Sequence, residues 1–259
     1  MPQHQGSHDL DLEGSFLKDL PPSVKRYTYH GKSQFLNTLH SESTRVEAST
    51  NASEFLLFYT SKERIKNILD PQNEDTSVAK FCTSFDTNEQ LLLVTMPSKP
   101  HSAAADDMNT MIRQALIPMG LLTALQGYPG ATIRGDSRGK QADYGWGPKR
   151  RAPGQSSSPS VTLEIAFSQS DSKLNSDIRF WLNPDDGNAN ICLTLRINRS
   201  RPEIRIESWE RQNNRIHRSQ VTWITKTRDR PSHPGEKDLE ISEQQLGEVA
   251  DTIWQEQSW

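Results

Sequence analysis

The stretch VTLEIAFSQS, residues 161–170, places an acidic residue in the middle of a strand pattern. Apolar side chains at positions 161, 163, 165 and 167 alternate with Thr162, Glu164, Ala166 and Ser168. This period of two predicts a β-strand with one buried face. Glu164 belongs to the other face, among small side chains. Either that face is wet, or it lines a cleft in which a metal ion and a phosphate fit.

The elements around this strand predict a mixed α/β fold. Two apolar stretches flank the turn-rich segment Asp86–Glu89, which is the pattern of a β-hairpin. A helix with an apolar face follows the hairpin, and a second, SKLNSDIRFWL, follows the strand that carries Glu164. Three more strands and a final helix complete the chain. We therefore expect a mixed central sheet flanked by helices.

Three segments are expected along the chain. Residues 1–20 are polar and predict a disordered tail, residues 21–79 predict a helical or irregular extension, and residues 80–259 predict the core domain with its C-terminal helix. An apolar content of 33% and a mean hydropathy of −0.76 are low for a compact protein of 259 residues. Part of the chain is therefore expected to lie outside the core.

Composition favours a protein of a reducing compartment. Cys82 and Cys192 form neither a disulfide framework nor a zinc motif. The N-terminus lacks the features of a signal peptide, and no apolar run approaches the roughly 18 to 20 residues that span a membrane. We expect an intracellular protein, nuclear or cytoplasmic, without a membrane partner.

A second acid lies upstream of Glu164, in the segment GKQADYGWGPKR that contains Asp143. Two carboxylates on neighbouring strands are a common way to hold Mg²⁺, which prefers oxygen ligands and bridges to a phosphate. A nearby lysine stabilises the charge that develops on that phosphate. The pair is therefore chemically suited to phosphodiester hydrolysis.

Several segments resemble one family when they are taken in order. Lys140–Asp143 resembles a Lys-x-Pro-Asp motif, Pro159–Ser168 resembles a Pro-Ser-aliphatic-aliphatic-Glu-Val-x-x-Ser motif, and Leu174–Leu182 resembles a Leu-x-x-Asp-x-x-x-Trp-Leu helix. The final helix with Ile253 and Trp254 is also similar. Residues 80 to 256 together resemble the restriction-endonuclease-like, PD-(D/E)XK superfamily, and more narrowly uncharacterised fungal proteins of that fold.

This resemblance implies a nuclease in which Asp143 and Glu164 ligate Mg²⁺ or Mn²⁺. The chain departs from the motif at two positions, because Ala142 replaces a proline and Ala166 replaces the lysine that follows the glutamate. Some branches of the superfamily carry that lysine on the next helix, which makes Lys173 the candidate here. Lys140 and Arg179 are poorer alternatives.

Two basic segments favour nucleic acid as a partner, although the whole chain has a formal net charge of −3. The first spans positions 134–151, has a local net charge of +4 and supplies the candidate nucleic-acid-binding residues Arg134, Arg138, Lys140, Lys149, Arg150 and Arg151. The second spans positions 196–218, where seven arginines face three glutamates. The tryptophans at positions 181, 209, 223 and 254 are interpreted as core residues.

Two functions remain open at this stage. One is a metal-dependent hydrolase of DNA or RNA with Asp143, Glu164 and Lys173 as catalytic residues. The other is a catalytically inactive module that binds nucleic acid or a protein partner; a homodimer through an exposed hairpin edge is also permitted. A lysine amine within about 4 to 6 Å of the Asp143/Glu164 pair favours the enzyme, and one beyond about 10 Å favours the module.

Overall fold

The computed structural model describes residues 9–11, 16–17, 20, 22–48, 52–130, 132–149, 158–167, 171–225 and 243–256. The strands are β1 Leu10–Asp11, β2 Lys25–Thr28, β3 Phe55–Tyr59, β4 Cys82–Asp86, β5 Leu91–Thr95, β6 Leu125–Gly127, β7 Thr132–Arg134, β8 Arg138–Gln141, β9 Tyr144–Pro148, β10 Val161–Ala166, β11 Ile191–Ile197, β12 Glu203–Gln212 and β13 Arg215–Thr225. The helices are α1 Lys32–Ala48, α2 Lys62–Leu69, α3 Lys99–Leu116, α4 Asp171–Leu182 and α5 Glu243–Glu256, with 3₁₀ turns at Ala79–Phe81 and Leu122–Ala124.

The strands form two mixed sheets. In the first sheet the order is β1-β13-β12-β11-β10-β9-β6. Strands β10 and β11 are parallel, with Glu164 opposite Thr194, while β9 pairs with β10 antiparallel. Two adjacent parallel strands need a crossover connection, and α4 supplies it. The predicted mixed α/β fold is confirmed, with the predicted hairpin formed by β4 and β5.

The second sheet was not expected as a separate sheet. Its order is β2-β3-β5-β4-β8-β7, with β2 and β3 parallel. The run Phe55–Phe58 in β3 is buried on both faces, so it lacks the alternation that identifies a strand in the sequence. Pairing with β2 and β5, rather than a local pattern, makes this segment a strand.

Helices cover the sheets in layers. One core joins α3 and α5 to the face of the first sheet that carries Leu163 and Ile165. A second core joins the opposite face of that sheet to α4 and to residues of β3 and β5. A third core joins the remaining face of the second sheet to α1 and α2. The two sheets and α4 therefore share one interior.

The segment boundaries predicted from composition do not match this architecture. The boundary at position 80 falls inside the second sheet, because β2 and β3 pair with each other and β3 with β5. Within the segment predicted to be a disordered tail, β1 pairs with β13, and Phe16 and Leu17 are buried in the core beside α4. The rings of Phe16 and Phe180 stack with their centroids 4.7 Å apart.

Strand β10 is buried on both faces, so the interpretation of the Glu164 face as wet is wrong. Thr162 and Ala166 are buried, and Glu164 is only 4% exposed. Trp181 and Trp209 are core residues as predicted, but Trp223 is 56% exposed and the core prediction for it is wrong. The side chain of Trp254 lies outside the described residues. None of the described helices has the length and apolar character to cross a bilayer.

The burial of Leu17 leads to a stability prediction. Leu17→Ala removes a fully buried side chain from the shared core and is expected to lower the free energy of unfolding by about 2–5 kcal/mol. The matched change Leu121→Ala, at an exposed leucine, is expected to stay within about 0.5 kcal/mol. Urea denaturation followed by tryptophan fluorescence measures both. Equal effects of the two substitutions would contradict the placement of Leu17.

Candidate active site

The two acids singled out in the sequence meet where the two sheets join. Strand β8 belongs to the second sheet and β9 to the first, so the link at Ala142 and Asp143 carries the chain from one sheet to the other. Glu164 lies on β10, the antiparallel neighbour of β9. The backbone N–H of Ile165 donates to Oδ2 of Asp143 at 2.6 Å. One carboxylate therefore precedes β9 and the other lies on the adjacent strand.

Glu164 is held on both of its carboxylate oxygens. The indole Nε1 of Trp181, on α4, donates to Oε1 at 2.5 Å, and Nζ of Lys140 lies 3.0 Å from Oε2. Burial raises the pKa of Glu164 to about 8; Lys140 opposes this shift, and Asp177 and Asp143 add to it. Glu164 can therefore exchange a proton near neutral pH.

Lys140 reaches this position from β8. A Cβ at the preceding residue, Gly139, would lie 2.2 Å from a ring carbon of Phe85, so glycine allows β8 to lie close against β4. Nζ of Lys140 also lies 3.0 Å from Oδ1 of Asp177. Burial opposes the charge, but attraction to Asp177 and Glu164 outweighs it and raises the pKa of Lys140 above its ordinary value. Lys140 is a permanent cation of the site.

Lys173 and Asp177 are one turn apart on α4 and form a buried ion pair. Nζ of Lys173 lies 2.5 Å from each carboxylate oxygen of Asp177 and 5.1 Å from the ring centre of Phe55. Burial lowers the pKa of Lys173, Asp177 counteracts that shift, and Lys140 adds to it. Burial works against the charge on Asp177, yet the two lysines keep its pKa below the ordinary value.

A histidine completes the site from the other side of the first sheet. Nε2 of His101, in the first turn of α3, lies 3.1 Å from Oδ1 of Asp143, and its Nδ1 lies 3.7 Å from Oε2 of Glu54. The backbone N–H of Ser98 donates to the other Glu54 oxygen at 2.8 Å. Burial opposes protonation, but attraction to Asp143 and Glu54 raises the pKa of His101 to about 10. His101 is therefore a cation at neutral pH.

These side chains surround a small polar cleft with an internal volume of about 10 Å³, which is room for about one water molecule. The cleft is lined by Phe55, Thr83, Thr95, His101, Lys140, Gln141, Asp143, Glu164, Ile165 and Lys173. Both sheets, α3 and α4 contribute to it. Glu54 and Asp177 lie directly behind the lining, where they contact His101 and Lys140. The cleft and this second layer together contain four carboxyl groups and three basic groups, which are His101, Lys140 and Lys173. The cleft therefore has an excess of acid groups.

The donor chemistry suits one hard divalent ion. In the part of the chain that the structure describes, no set of three or more His, Cys, Asp or Glu side chains is arranged around one point as a metal centre. An ion would have the carboxylates of Asp143 and Glu164 and would complete its shell with waters and phosphate oxygens, as Mg²⁺ commonly does. Each of these carboxylate oxygens already contacts one protein donor and has a second lone-pair site, so an ion would share the oxygens with these donors or displace one of them.

The structure brings together Asp143, Glu164 and Lys173, and it places Lys140, a poorer alternative in the sequence analysis, 3.0 Å from Glu164. Ala166 is buried beside α4, and the two lysines of the cleft come from β8 and α4. Arg179, the remaining alternative, donates from Nε to the carbonyl of Asp11 instead.

The predicted nucleic-acid-binding residues are dispersed. Lys140 is buried in the cleft, whereas Arg134 donates to the carbonyl of Leu69 and Arg138 lies 3.7 Å from Asp186. Lys149 is exposed beyond β9. Arg150 and Arg151 lie outside the described residues.

Sequence reasoning did not identify Glu54, His101 or Asp177 as members of the site. The sequence does contain a pattern that points to Asp177, because this residue is the aspartate of the helix motif and follows Lys173 by one turn. His101 and Glu54 have no such pattern, since each lies at the edge of an element far from the motif in the sequence. The packing of α3 and β3 brings His101 to Asp143 and Glu54 to His101.

Comparison with solved structures finds a distant likeness. A crystal structure from Anabaena variabilis, described as that of a "putative nuclease belonging to DUF820", aligns with a TM-score of 0.39 and 12% identity over 69% of this chain and 92% of that chain. No family model matches the chain, and no curated protein is similar to it in sequence.

The ion pairs of His101 lead to a pH prediction. Its pKa rises from an ordinary 6.5 to about 10 on folding, so the stabilisation is fully present below pH 6.5 and is lost as the pH rises to about 10. His101→Gln is therefore expected to destabilise the protein strongly at pH 6 and progressively less towards pH 10. Urea denaturation of both proteins across this range measures the difference. A difference that does not vary with pH would show that His101 is not charged in the folded protein.

Proposed function

We propose that the protein is a metal-dependent nuclease that hydrolyses phosphodiester bonds in this cleft. The proposal is supported chiefly by one observation: Asp143, Glu164 and two lysines, which come from β8, the β8–β9 link, β10 and α4, converge on a single cleft. Nζ of Lys140 lies 3.0 Å from Glu164, well inside the separation that favours the enzyme over an inactive module.

The metal is part of the proposal. Asp143 and Glu164 would hold Mg²⁺ or Mn²⁺, which when bound supplies positive charge to the scissile phosphate and lowers the pKa of a water. Ionisation of Glu164 is a condition for binding, because a protonated carboxyl is a poor ligand. Because the pKa of Glu164 is about 8, a metal ion that binds at neutral pH would have to displace the proton of this carboxyl group. Metal binding is therefore expected to strengthen as the pH rises.

The two lysines are proposed to have different roles. Lys140 has a raised pKa and remains charged, so it is suited to stabilising negative charge on the phosphate. Lys173 has a lowered pKa and lines the same cleft, so it is suited to carrying a proton to or from the reacting water or leaving oxygen. Asp177 contacts both ammonium groups and orients them.

His101 is a positioning residue in this scheme. Its contact with Oδ1 of Asp143, together with the Ile165 N–H at Oδ2, keeps that carboxylate turned towards the cleft. Burial opposes ionisation, but His101 and then Lys140 keep the pKa of Asp143 below its usual range. The pKa of Asp143 therefore lies below that of Glu164.

One observation favours a second candidate, an inactive module that binds nucleic acid or a protein partner. All four oxygens of Asp143 and Glu164 contact protein donors, so the cleft is internally paired without an added cation. A module of this kind would retain the fold and the ion pairs but would not hydrolyse the backbone. Metal-dependent cleavage separates the two candidates.

The nuclease proposal predicts loss of cleavage in Glu164→Ala. End-labelled single-stranded and duplex DNA and RNA are incubated with Mg²⁺ or Mn²⁺, and products are resolved on denaturing gels. Wild type is expected to cleave at least one substrate, and Glu164→Ala to fall to background because one of the two proposed metal ligands is gone. The control is Glu42→Gln, which removes the charge of a buried, ion-paired glutamate on α1 and is expected to retain activity. Equal trace cleavage by all three proteins would reject the nuclease.

The division of roles between the lysines predicts unequal effects of arginine at the two positions. Both substitutions keep a positive charge and add similar volume, but arginine cannot exchange a proton near neutral pH. Lys173→Arg is expected to lower kcat by about 10² to 10⁴, and Lys140→Arg by less than about tenfold. Single-turnover cleavage rates, with melting temperatures to confirm folding, measure both. The reverse order of effects would assign proton transfer to Lys140 and charge stabilisation to Lys173.

A further inference from the structure

The second basic segment, at positions 196–218, forms an ordered feature beside the cleft. The strand register places Ala166 opposite Arg196, Arg196 opposite Arg205, and Arg205 opposite Trp223. We call Arg196, Arg205 and Trp223 the arginine–tryptophan row. It crosses the first sheet from β11 to β13. Arg196, at its start, lies opposite Ala166, which stands where the motif has a lysine.

The row lies on the same face of the sheet as Glu164. Ile204 and Ile206 pack into the core of α3 and α5, so Arg205 between them projects from the opposite face. Glu164 pairs with Thr194, two residues before Arg196 on β11. Same-face rows two residues apart are separated by roughly 7 Å, and three strand-to-strand steps from β10 to β13 span roughly 14 Å. The row therefore runs from beside the cleft to β13, the strand next to the short edge strand β1.

The guanidinium groups of the row are only partly engaged. Arg196 lies 2.5 Å from Asp171 at the start of α4, and Arg205 lies 3.5 Å from Glu207. Within the described residues, Nε of Arg196 and Nε of Arg205 are buried donors without a hydrogen-bond partner. Glu207 also contacts Arg218 at 2.8 Å, so three arginines face two acids here. Together with Arg218 the row therefore has a local net charge of +1, and its contacts with a ligand must come from the partly exposed ends of the two guanidinium groups.

Trp223 gives the row an aromatic end. The guanidinium of Arg205 lies 5.3 Å from the ring centre of Trp223, while 56% of the residue is exposed. An aromatic ring with a cation near it and open surface remaining is suited to stacking with a nucleobase. A flat row of this kind fits an extended strand whose bases are unpaired.

We propose that the arginine–tryptophan row binds single-stranded nucleic acid, with a base stacked on Trp223 and the backbone phosphates on Arg205 and Arg196, and guides that strand to the cleft. The inference takes nucleic acid as the ligand from the proposed nuclease function and specifies its form. DNA and RNA share the chemistry that the row recognises. A duplex is disfavoured because its bases are stacked on one another and cannot cover the indole.

Binding without cleavage tests the row. Full-length protein in EDTA is titrated into 12-nucleotide fluorescein-labelled single-stranded DNA, single-stranded RNA and the corresponding duplex, and anisotropy gives Kd at several salt concentrations. Trp223→Ala is expected to weaken single-strand binding at least about fivefold, since stacking on one aromatic residue contributes that much or more. Arg205→Gln is expected to reduce the slope of log K against log salt by about 0.7. Tyr59→Ala, at an exposed aromatic residue of the second sheet, is the matched control and is expected to bind as wild type.

Three results would overturn the row: no single-strand binding by wild type, equal binding by wild type and Trp223→Ala, or tighter binding of the duplex. The outcome is independent of the nuclease test. Loss of cleavage in Glu164→Ala with unchanged binding by Trp223→Ala would support the nuclease proposal and reject the row as a binding surface. Weakened binding by Trp223→Ala without any wild-type cleavage would support the row as a binding surface and reject the nuclease proposal.

Discussion

The ammonium group of Lys140, placed between Glu164 and Asp177, is the interaction on which the rest of the site depends. It connects β8 of the second sheet to β10 of the first and to α4. A buried ion pair adds little net stability against an apolar alternative, but removing one partner leaves an uncompensated charge and costs about 3–5 kcal/mol. Within this fold the three groups are therefore mutually required, and they make the contact between the sheets specific rather than merely hydrophobic.

The same network gives the two carboxyl groups of the site, Asp143 and Glu164, different pKa values. Asp143 contacts a protonated histidine and a backbone N–H, which lower its pKa, whereas burial and the neighbouring acids raise the pKa of Glu164. Two acids whose environments separate their pKa values are the usual arrangement for distinct roles in one reaction. Here the separation follows from position: Asp143 lies at the crossing between the sheets and Glu164 lies in the middle of a covered strand.

The arginine–tryptophan row shows how a sheet can extend a site beyond its cleft. The parallel pairing of β10 with β11 brings position 166 opposite Arg196, and the antiparallel pairs that follow carry the row to Trp223. In the sequence these residues are only part of an arginine-rich segment. Register, not composition, selects which arginines lie on the Glu164 face, because side chains alternate between faces along each strand.

The sequence alone determined what depends on local pattern: the strand around Glu164, the β4–β5 hairpin, the α4 helix and the mixed α/β class. It also singled out Asp143 and Glu164 from short motifs, and Lys173 from the family resemblance, as candidate residues that line one cleft. Only the tertiary structure decided that β3 joins a second sheet, that His101 lies between Asp143 and Glu54, and that Lys140 contacts Glu164. The physical reason is the range of the interactions. Periodicity and motif spacing act over a few residues, whereas these contacts join segments separated by tens of residues and form only when the sheets and α4 pack around one buried set of charges.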